Sequence, residues 1–185
     1  LSYSFTPDTT AIFLASFRIP DLVFQLMVFG ALSVAFIPVF TDYLHQKGEK
    51  EAFEFASDTF NIFFLAFSVL STIIFFAAIP LTSLIVPGFN PWQKELTAHL
   101  TQIILLGQVL LCIGSFFAGI AQSYQRFIIP ALAGVFYNVG VILGIIFLTP
   151  FWGIYGPAFG VVLGAALHVL IQLPLINVLG FRHRW

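Results

Sequence analysis

Charge is scarce in this sequence. Asp, Glu, Lys and Arg together make up 8% of its 185 residues, where a soluble globular domain carries about 25%. A chain with so few charged side chains cannot cover itself with a polar surface, which favours a membrane protein. The net charge of −1 leaves no basic stripe, so the sequence predicts no nucleic-acid partner.

Cysteine and catalytic motifs are also nearly absent. The single cysteine, Cys112, can form neither an internal disulfide nor a cysteine-based zinc site, and its apolar neighbours favour a packing role. The 4 histidines show no paired metal-ligand spacing, and the sequence has no nucleophile triad, glycine-rich phosphate loop or zinc motif. We therefore predict no metal, no cofactor and no enzymatic activity.

Long apolar runs are what the sequence has in abundance. Four segments without charge, 22–41, 59–93, 96–125 and 127–181, contain 20, 35, 30 and 55 residues, and about 20 apolar residues in helical form cross a bilayer. Turn signals at 149–153 and 156–157 divide the last run, and the first extends back to about residue 9. The runs lack the alternation of a membrane β-barrel. We predict one all-α transmembrane bundle, 1–185, with five spans at about 9–44, 57–86, 97–123, 127–149 and 154–180.

Lysine and arginine predict the orientation of these spans. One side of the predicted bundle receives Lys47, Lys50, Arg126, Arg182 and Arg184, and the other receives Lys94 alone. Because positively charged loops stay in the cytoplasm, we expect the C-terminus in the cytoplasm and the N-terminus outside. The chain begins with Leu1, and no basic stretch precedes its first apolar run. We therefore expect a fragment of a longer polytopic protein with an earlier span.

Three polar residues in the first span are the candidate substrate-cavity residues: Arg18, Asp21 and Gln25. A charge at mid-bilayer costs about 2.5–3.5 kcal/mol on insertion scales, so such side chains usually face a bundle interior or a water-filled cavity. In one interpretation Arg18 receives an anionic substrate; in the other it reaches the interface and Asp21 merely neutralises it. Pro20, Gly30 and Pro38 are the candidate kink or gating residues, since proline removes a backbone donor.

The later spans contain small and polar residues that favour packing. Glycines at small-xxx-small spacing, which let helices approach closely, are Gly140, Gly144, Gly156, Gly160 and Gly164. Gln122, Arg126 and Asn138 form a polar set for which we expect interhelical hydrogen bonds, with Arg126 at the cytoplasmic interface. His168 is interpreted as a packing residue in preference to a proton relay.

Several motifs together resemble those of the MurJ/MviN lipid II flippases. In the first span they are ASFRIPDL at 15–22, GALS at 30–33 and AFIPVF at 35–40. Later matches, in order along the chain, are VPGF at 86–89, QSYQRF at 122–127, PA at 130–131, YN at 137–138, GIYG at 153–156, GVVLGA at 160–165 and HVLIQLP at 168–174. The resemblance covers essentially the whole chain.

This resemblance implies helices two to six of a two-lobed exporter of the multidrug/oligosaccharidyl-lipid/polysaccharide superfamily, without its first helix and second lobe. Such proteins move the undecaprenyl-linked peptidoglycan precursor across the bacterial cytoplasmic membrane by alternating access. A cationic cavity receives the diphosphate and sugar head. The partners implied are therefore lipid II, or a similar polyprenyl-diphosphate-linked glycan, and membrane lipids.

The sequence departs from the family pattern at three positions. Ala11 stands where many members have an acidic residue, and Phe24 and Gln25 stand where well-known members have arginines. Arg18 is consequently the one cavity cation that the resemblance carries over. Two alternatives stay open: a flippase for another lipid-linked oligosaccharide, and a membrane scaffold that has kept the fold and lost transport.

Overall fold

The computed structural model describes residues 5–183, except the side chains of Phe29 and Ala31; Arg184, counted above with the basic tail, lies outside the described residues. Five helices are long and apolar enough to cross a membrane: α1 (Pro7–Gln46), α2 (Glu49–Phe76), α3 (Pro91–Ser123), α4 (Ile128–Trp152) and α5 (Tyr155–Val178). Residues 5–183 contain no strand. The predicted all-α, five-span fold is confirmed.

Local sequence signals explain where these helices begin. Thr6 caps α1 by accepting the Thr9 N–H at 3.3 Å, with Pro7 at the first helical position, where a missing N–H costs nothing. Asn90 and Gln93 form a reciprocal capping box at the start of α3, each bond 3.0 Å long. These caps satisfy backbone groups that would otherwise face the membrane interface unpaired.

The second predicted span, 57–86, differs from the structure at both ends. Helix α2 begins at Glu49, because a helix continues into water beyond its apolar part and Glu, Lys and Ala are good helix formers. It ends at Phe76, and a separate short helix, Ala78–Ile85, follows before the loop to α3. The apolar run alone could not reveal this break.

Helix α3 is the centre of the bundle, since it contacts every other spanning helix. Half of its most apolar window is buried, a larger share than in the other four helices. An aromatic cluster packs on its C-terminal half, where the Phe36 and Phe116 rings lie 4.6 Å apart and Phe60 meets Phe116 edge to face at 5.1 Å. A second cluster, around Ile12, Leu100 and Val161, joins α1, α3 and α5 at the other end.

The outward faces are apolar, as lipid contact requires. Leu26, Phe76, Ile128 and Phe151 each expose more than two thirds of their surface. In water such a surface would cause aggregation, whereas in a bilayer it replaces one hydrocarbon contact by another. The structure therefore agrees with a multi-pass membrane protein.

The segments that carry Lys47 and Lys50, Arg126, and Arg182 meet at one end of the bundle, which we call the basic end for its lysines and arginines. Phe53, in the first turns of α2, packs on Tyr124 after α3 and on Phe181 after α5, with ring centroids 6.3 and 5.7 Å apart. The Tyr124 hydroxyl lies 3.4 Å from the Glu49 carboxylate and donates to it. Burial, followed by the charge of Glu49, raises the pKa of Tyr124 to about 12, so the phenol remains a donor at neutral pH.

Candidate functional site

A cavity of about 510 Å³ lies along one face of α1. Its lining residues are Arg18, Asp21, Leu22, Gln25, Leu26 and Gly30. The structure thus brings the three predicted cavity residues together on one helix face, with Gly30 at the end of the same face. Arg18 and Gln25 are exposed and Asp21 is half-buried. Because every lining residue belongs to α1, the cavity is one-sided.

The carboxylate of Asp21 is held from the neighbouring helix. The side-chain amide of Gln108, on α3, donates to Asp21 Oδ1 at 2.7 Å. Gln108 itself is 3% exposed. Among the described residues this amide, and not the Arg18 guanidinium, is the hydrogen-bond partner found for Asp21. Sequence reasoning did not single out Gln108; an isolated amide deep in an apolar run was the available signal.

Pro20 lies where α1 is interrupted. The helix Pro7–Ser16 ends at Phe17, and a new segment, Arg18–Gln25, carries the cavity residues. Proline has no N–H to bond the carbonyl four residues earlier, which is that of Ser16. The Thr101 hydroxyl of α3 lies 3.1 Å from this carbonyl oxygen and supplies the missing donor. Pro20 is buried and is not among the residues that line the cavity.

Gly30 and Pro38 belong to a second irregularity of α1. Residues Leu26–Phe36 form a wider π-helix, and α-helical geometry resumes with Ile37–Gln46. Gly30 is inside the π-helical segment, and a methyl group there would meet nothing within 4 Å. Pro38 occupies the first turn of the resumed α-helix, where proline is tolerated. Such π-helical segments often occur at functional sites, and kink or gating roles for Gly30 and Pro38 stay predictions.

A second cavity, of about 460 Å³, lies between α1 and α4 and is also lined by α3. Its polar lining residues include Ser115, Gln122, Tyr137 and His168. The His168 imidazole fills the space above Gly114, where a Cβ atom would overlap it. His168 is therefore packed against α3, as expected for a packing residue.

Among the described residues, no hydrogen bond joins the members of the predicted polar set around the third-to-fourth turn. Gln122 lines the second cavity, while Arg126 is exposed at the basic end of the bundle. The Asn138 amide donates to the Gly134 carbonyl of its own helix at 2.9 Å. The interhelical bond expected for Asn138 is thus replaced by an intrahelical one, because its side chain lies on an exposed face of α4.

The glycines of α4 and α5 lie at the closest approach between these two helices. A Cβ atom on Gly140 would overlap the backbone of Gly164, and one on Gly144 would overlap the backbone of Gly160. Gly156 faces the backbone at Thr149 in the same way. The helices touch backbone to backbone, which larger residues would prevent.

Comparison with known proteins identifies the family. The family model described as "Lipid II flippase MurJ" matches residues 2–185. The "Probable lipid II flippase MurJ" of Buchnera aphidicola subsp. Acyrthosiphon pisum is 33% identical over 173 residues, 90% of this chain and 34% of that protein. That of Borreliella burgdorferi is 31% identical, over 97% of this chain and 35% of the relative.

A solved structure shares the fold. It is described as "Lipid II flippase MurJ, inward closed conformation" and superimposes with a TM-score of 0.75 at 22% identity, over 96% of this chain and 37% of that one. The chain spans about a third of the length of the curated relatives it matches. Since the family model matches nearly the whole chain, the resemblance found in its sequence is confirmed, and the chain belongs to the MurJ family of lipid II flippases.

Proposed function

We propose that this chain is part of the N-terminal lobe of a lipid II flippase, which moves undecaprenyl-linked peptidoglycan precursor across the bacterial cytoplasmic membrane. The rest of the same protein supplies the first helix and the second lobe. The activity is transport and needs no covalent step. The observation that carries the proposal is the exposed Arg18 in the 510 Å³ cavity of α1.

Arg18 has the chemistry for a diphosphate headgroup. Its guanidinium is planar, always charged and forms paired hydrogen bonds with phosphate oxygens. A cation in a membrane helix costs about 2.5–3.5 kcal/mol unless water or an anion accompanies it. Among the described residues Asp21 forms no ion pair with Arg18, and its carboxylate accepts a hydrogen bond from Gln108 instead. Gln25 and Asp21 offer further polar contacts beside Arg18 for a sugar.

The one-sided cavity supports alternating access between two lobes. All its lining residues are on α1, so a headgroup bound there needs an opposing wall from elsewhere in the protein. Motion of that wall relative to α1 would open the cavity to one side of the membrane and then to the other. Exposed apolar residues such as Leu22 and Leu26 flank the cavity and suit a polyprenyl tail or an opposing helix.

The proposed orientation places the basic end in the cytoplasm and the N-terminus of the chain outside. It is supported by the convergence of the segments that carry Lys50, Arg126 and Arg182, joined through the contacts of Phe53. Positive charge next to membrane helices favours the cytoplasmic side.

Complementation tests the proposed function. The full-length protein is expressed in bacteria depleted of their own lipid II flippase, together with Arg18→Ala, Arg18→Lys and the matched control Arg126→Ala. We expect rescue by the wild type and Arg126→Ala, loss with Arg18→Ala at an unchanged membrane level, and partial activity with Arg18→Lys, which keeps the charge without the planar fork.

Two results would contradict the proposal. Full rescue by Arg18→Ala would indicate that the charge is not used and would favour a scaffold. Failure of a well-inserted wild type, when a curated relative rescues the same strain, would favour another lipid-linked glycan as substrate.

A further inference from the structure

Gln108 is a buried amide whose position bears on Arg18. It belongs to α3, is 3% exposed and reaches across to α1, where its Nε2 donates to Asp21 Oδ1 at 2.7 Å. The direction of this bond follows from chemistry, since an ionised carboxylate only accepts and the amide must present its NH₂ group. Its Oε1 atom is buried and has no hydrogen-bond partner among the described residues. Leaving a buried acceptor unpaired costs free energy, so the amide is oriented at some expense toward Asp21.

Without this bond, the cation that helical spacing places beside Asp21 is Arg18 of the same helix. Arg18 and Asp21 are three residues apart in Arg18–Gln25, the spacing at which opposite charges on a helix meet. The attraction between them grows as the surrounding dielectric constant falls. An Arg18 guanidinium paired with Asp21 would have fewer N–H groups and less net charge to offer an anion.

We propose that Gln108 is a positioning residue that holds the Asp21 carboxylate away from Arg18 and so keeps the guanidinium available for an anionic diphosphate headgroup. This inference rests on the proposed function. It concerns a residue outside the cavity that keeps a cavity residue free to bind the substrate. Gln108 does not line the cavity; it acts through Asp21.

The chain provides a matched control. Gln102 is on the same helix, and its amide donates to the Phe75 carbonyl of α2 at 3.0 Å. Replacing either glutamine by methionine, which has a similar length and no amide, removes one interhelical hydrogen bond of α3. Only the Gln108 bond ends at Asp21, so Gln102→Met reports the effect of losing an interhelical bond of α3 without a change at Asp21.

The test measures binding of farnesyl diphosphate, a soluble polyprenyl diphosphate, to the purified full-length protein in detergent. We expect Gln108→Met to weaken binding about tenfold, which corresponds to about 1.4 kcal/mol, and Gln102→Met to leave it within about twofold. Thermal unfolding in the same detergent checks that both variants are folded. If Gln108→Met does not accumulate in the membrane, Gln108→Ala is measured in its place.

A double-mutant cycle distinguishes positioning from a structural role. In the Asp21→Asn background the carboxylate that competes for Arg18 is gone, so Gln108→Met should cost less than about twofold in diphosphate affinity. A purely structural glutamine would give the same penalty in both backgrounds.

The outcomes also separate this inference from the proposed function. Equal penalties in the two backgrounds, or no penalty from Gln108→Met when Arg18→Ala abolishes binding, would overturn the positioning role alone. A wild type that does not bind the diphosphate, or binds it as well after Arg18→Ala, would overturn both.

Discussion

The environment of Arg18 shows how neighbours far apart in sequence decide the chemistry of one residue. The sequence identified Arg18 and Asp21 as costly charges inside a membrane helix, and their spacing allowed mutual neutralisation. The structure shows a different partner for Asp21, because the amide of Gln108, 87 residues away, donates a hydrogen bond to its carboxylate. The apolar run around Gln108 marked it as an unusual amide, but no pattern along the chain could show that it pairs with Asp21, since the pairing depends on how α3 packs against α1.

Gly140 gives a residue-scale prediction about packing. Its Cβ position is occupied by the backbone of Gly164, so Gly140→Ala must push α4 and α5 apart. Overpacking of this kind costs about 1–3 kcal/mol, and we expect a lower thermal midpoint of the full-length protein in detergent.

The control for Gly140 is on the same helix. A Cβ atom on Gly134 would meet nothing within 4 Å, so Gly134→Ala should keep or slightly raise the midpoint through its better helix propensity. Equal loss of stability in both variants would show that close approach at Gly140 is not what the glycine provides.

Helix α1 is a composite element, and its interruption is compensated by another helix. Pro20 deprives the Ser16 carbonyl of its helical donor, and the Thr101 hydroxyl lies 3.1 Å from that oxygen. The same hydroxyl is 2.9 Å from the Thr97 carbonyl, which already has a helical donor in the Thr101 N–H. The Ser16 carbonyl therefore has the greater need of the hydroxyl proton. This bond fixes the segment that presents Arg18.

Thr101→Val tests this compensation. Valine has the shape of threonine without the hydroxyl, so the variant leaves the Ser16 carbonyl unpaired, and we expect destabilisation of about 1 kcal/mol. In a Pro20→Ala background, residue 20 again supplies an N–H, and the penalty of Thr101→Val should shrink. Thermal unfolding in detergent of the wild type, the two single variants and the double variant measures the penalty of Thr101→Val in each background.

Thr97→Val is the matched control for this cycle. Its hydroxyl donates within its own helix, to the Gln93 carbonyl at 2.7 Å, and it is as buried as Thr101. The penalty of Thr97→Val should be the same in the wild-type and Pro20→Ala backgrounds. A Thr101→Val penalty that does not diminish in the Pro20→Ala background would argue against the compensation.

For the molecule as a whole, the unequal numbers of lysines and arginines at its two ends lead to a testable orientation. Gln46, before the loop to α2, is exposed at the basic end, and Gly88 is in the loop before α3 with open space around it. The native Cys112 is 1% exposed and should give no background labelling.

We expect a membrane-impermeant maleimide to label Gly88→Cys of the full-length protein in intact spheroplasts. Gln46→Cys should react only after the membrane is permeabilised, because the basic end is in the cytoplasm. The reverse pattern would invert the proposed orientation.

The sequence by itself determined the class of the molecule and its family. Long charge-free runs required helices that cross a membrane, because only a backbone bonded to itself is stable in hydrocarbon, and motifs around Arg18 and in α5 identified the relatives. It also predicted that Arg18, Asp21 and Gln25 share a site, since residues of one helix face stay together in any fold. Only the tertiary structure decided which groups of α3 meet α1. Gln108 bonds Asp21, and Thr101 bonds Ser16, because the central helix α3 packs beside the interrupted helix α1. Such contacts depend on how two helices pack, which cannot be read from the order of residues along the chain.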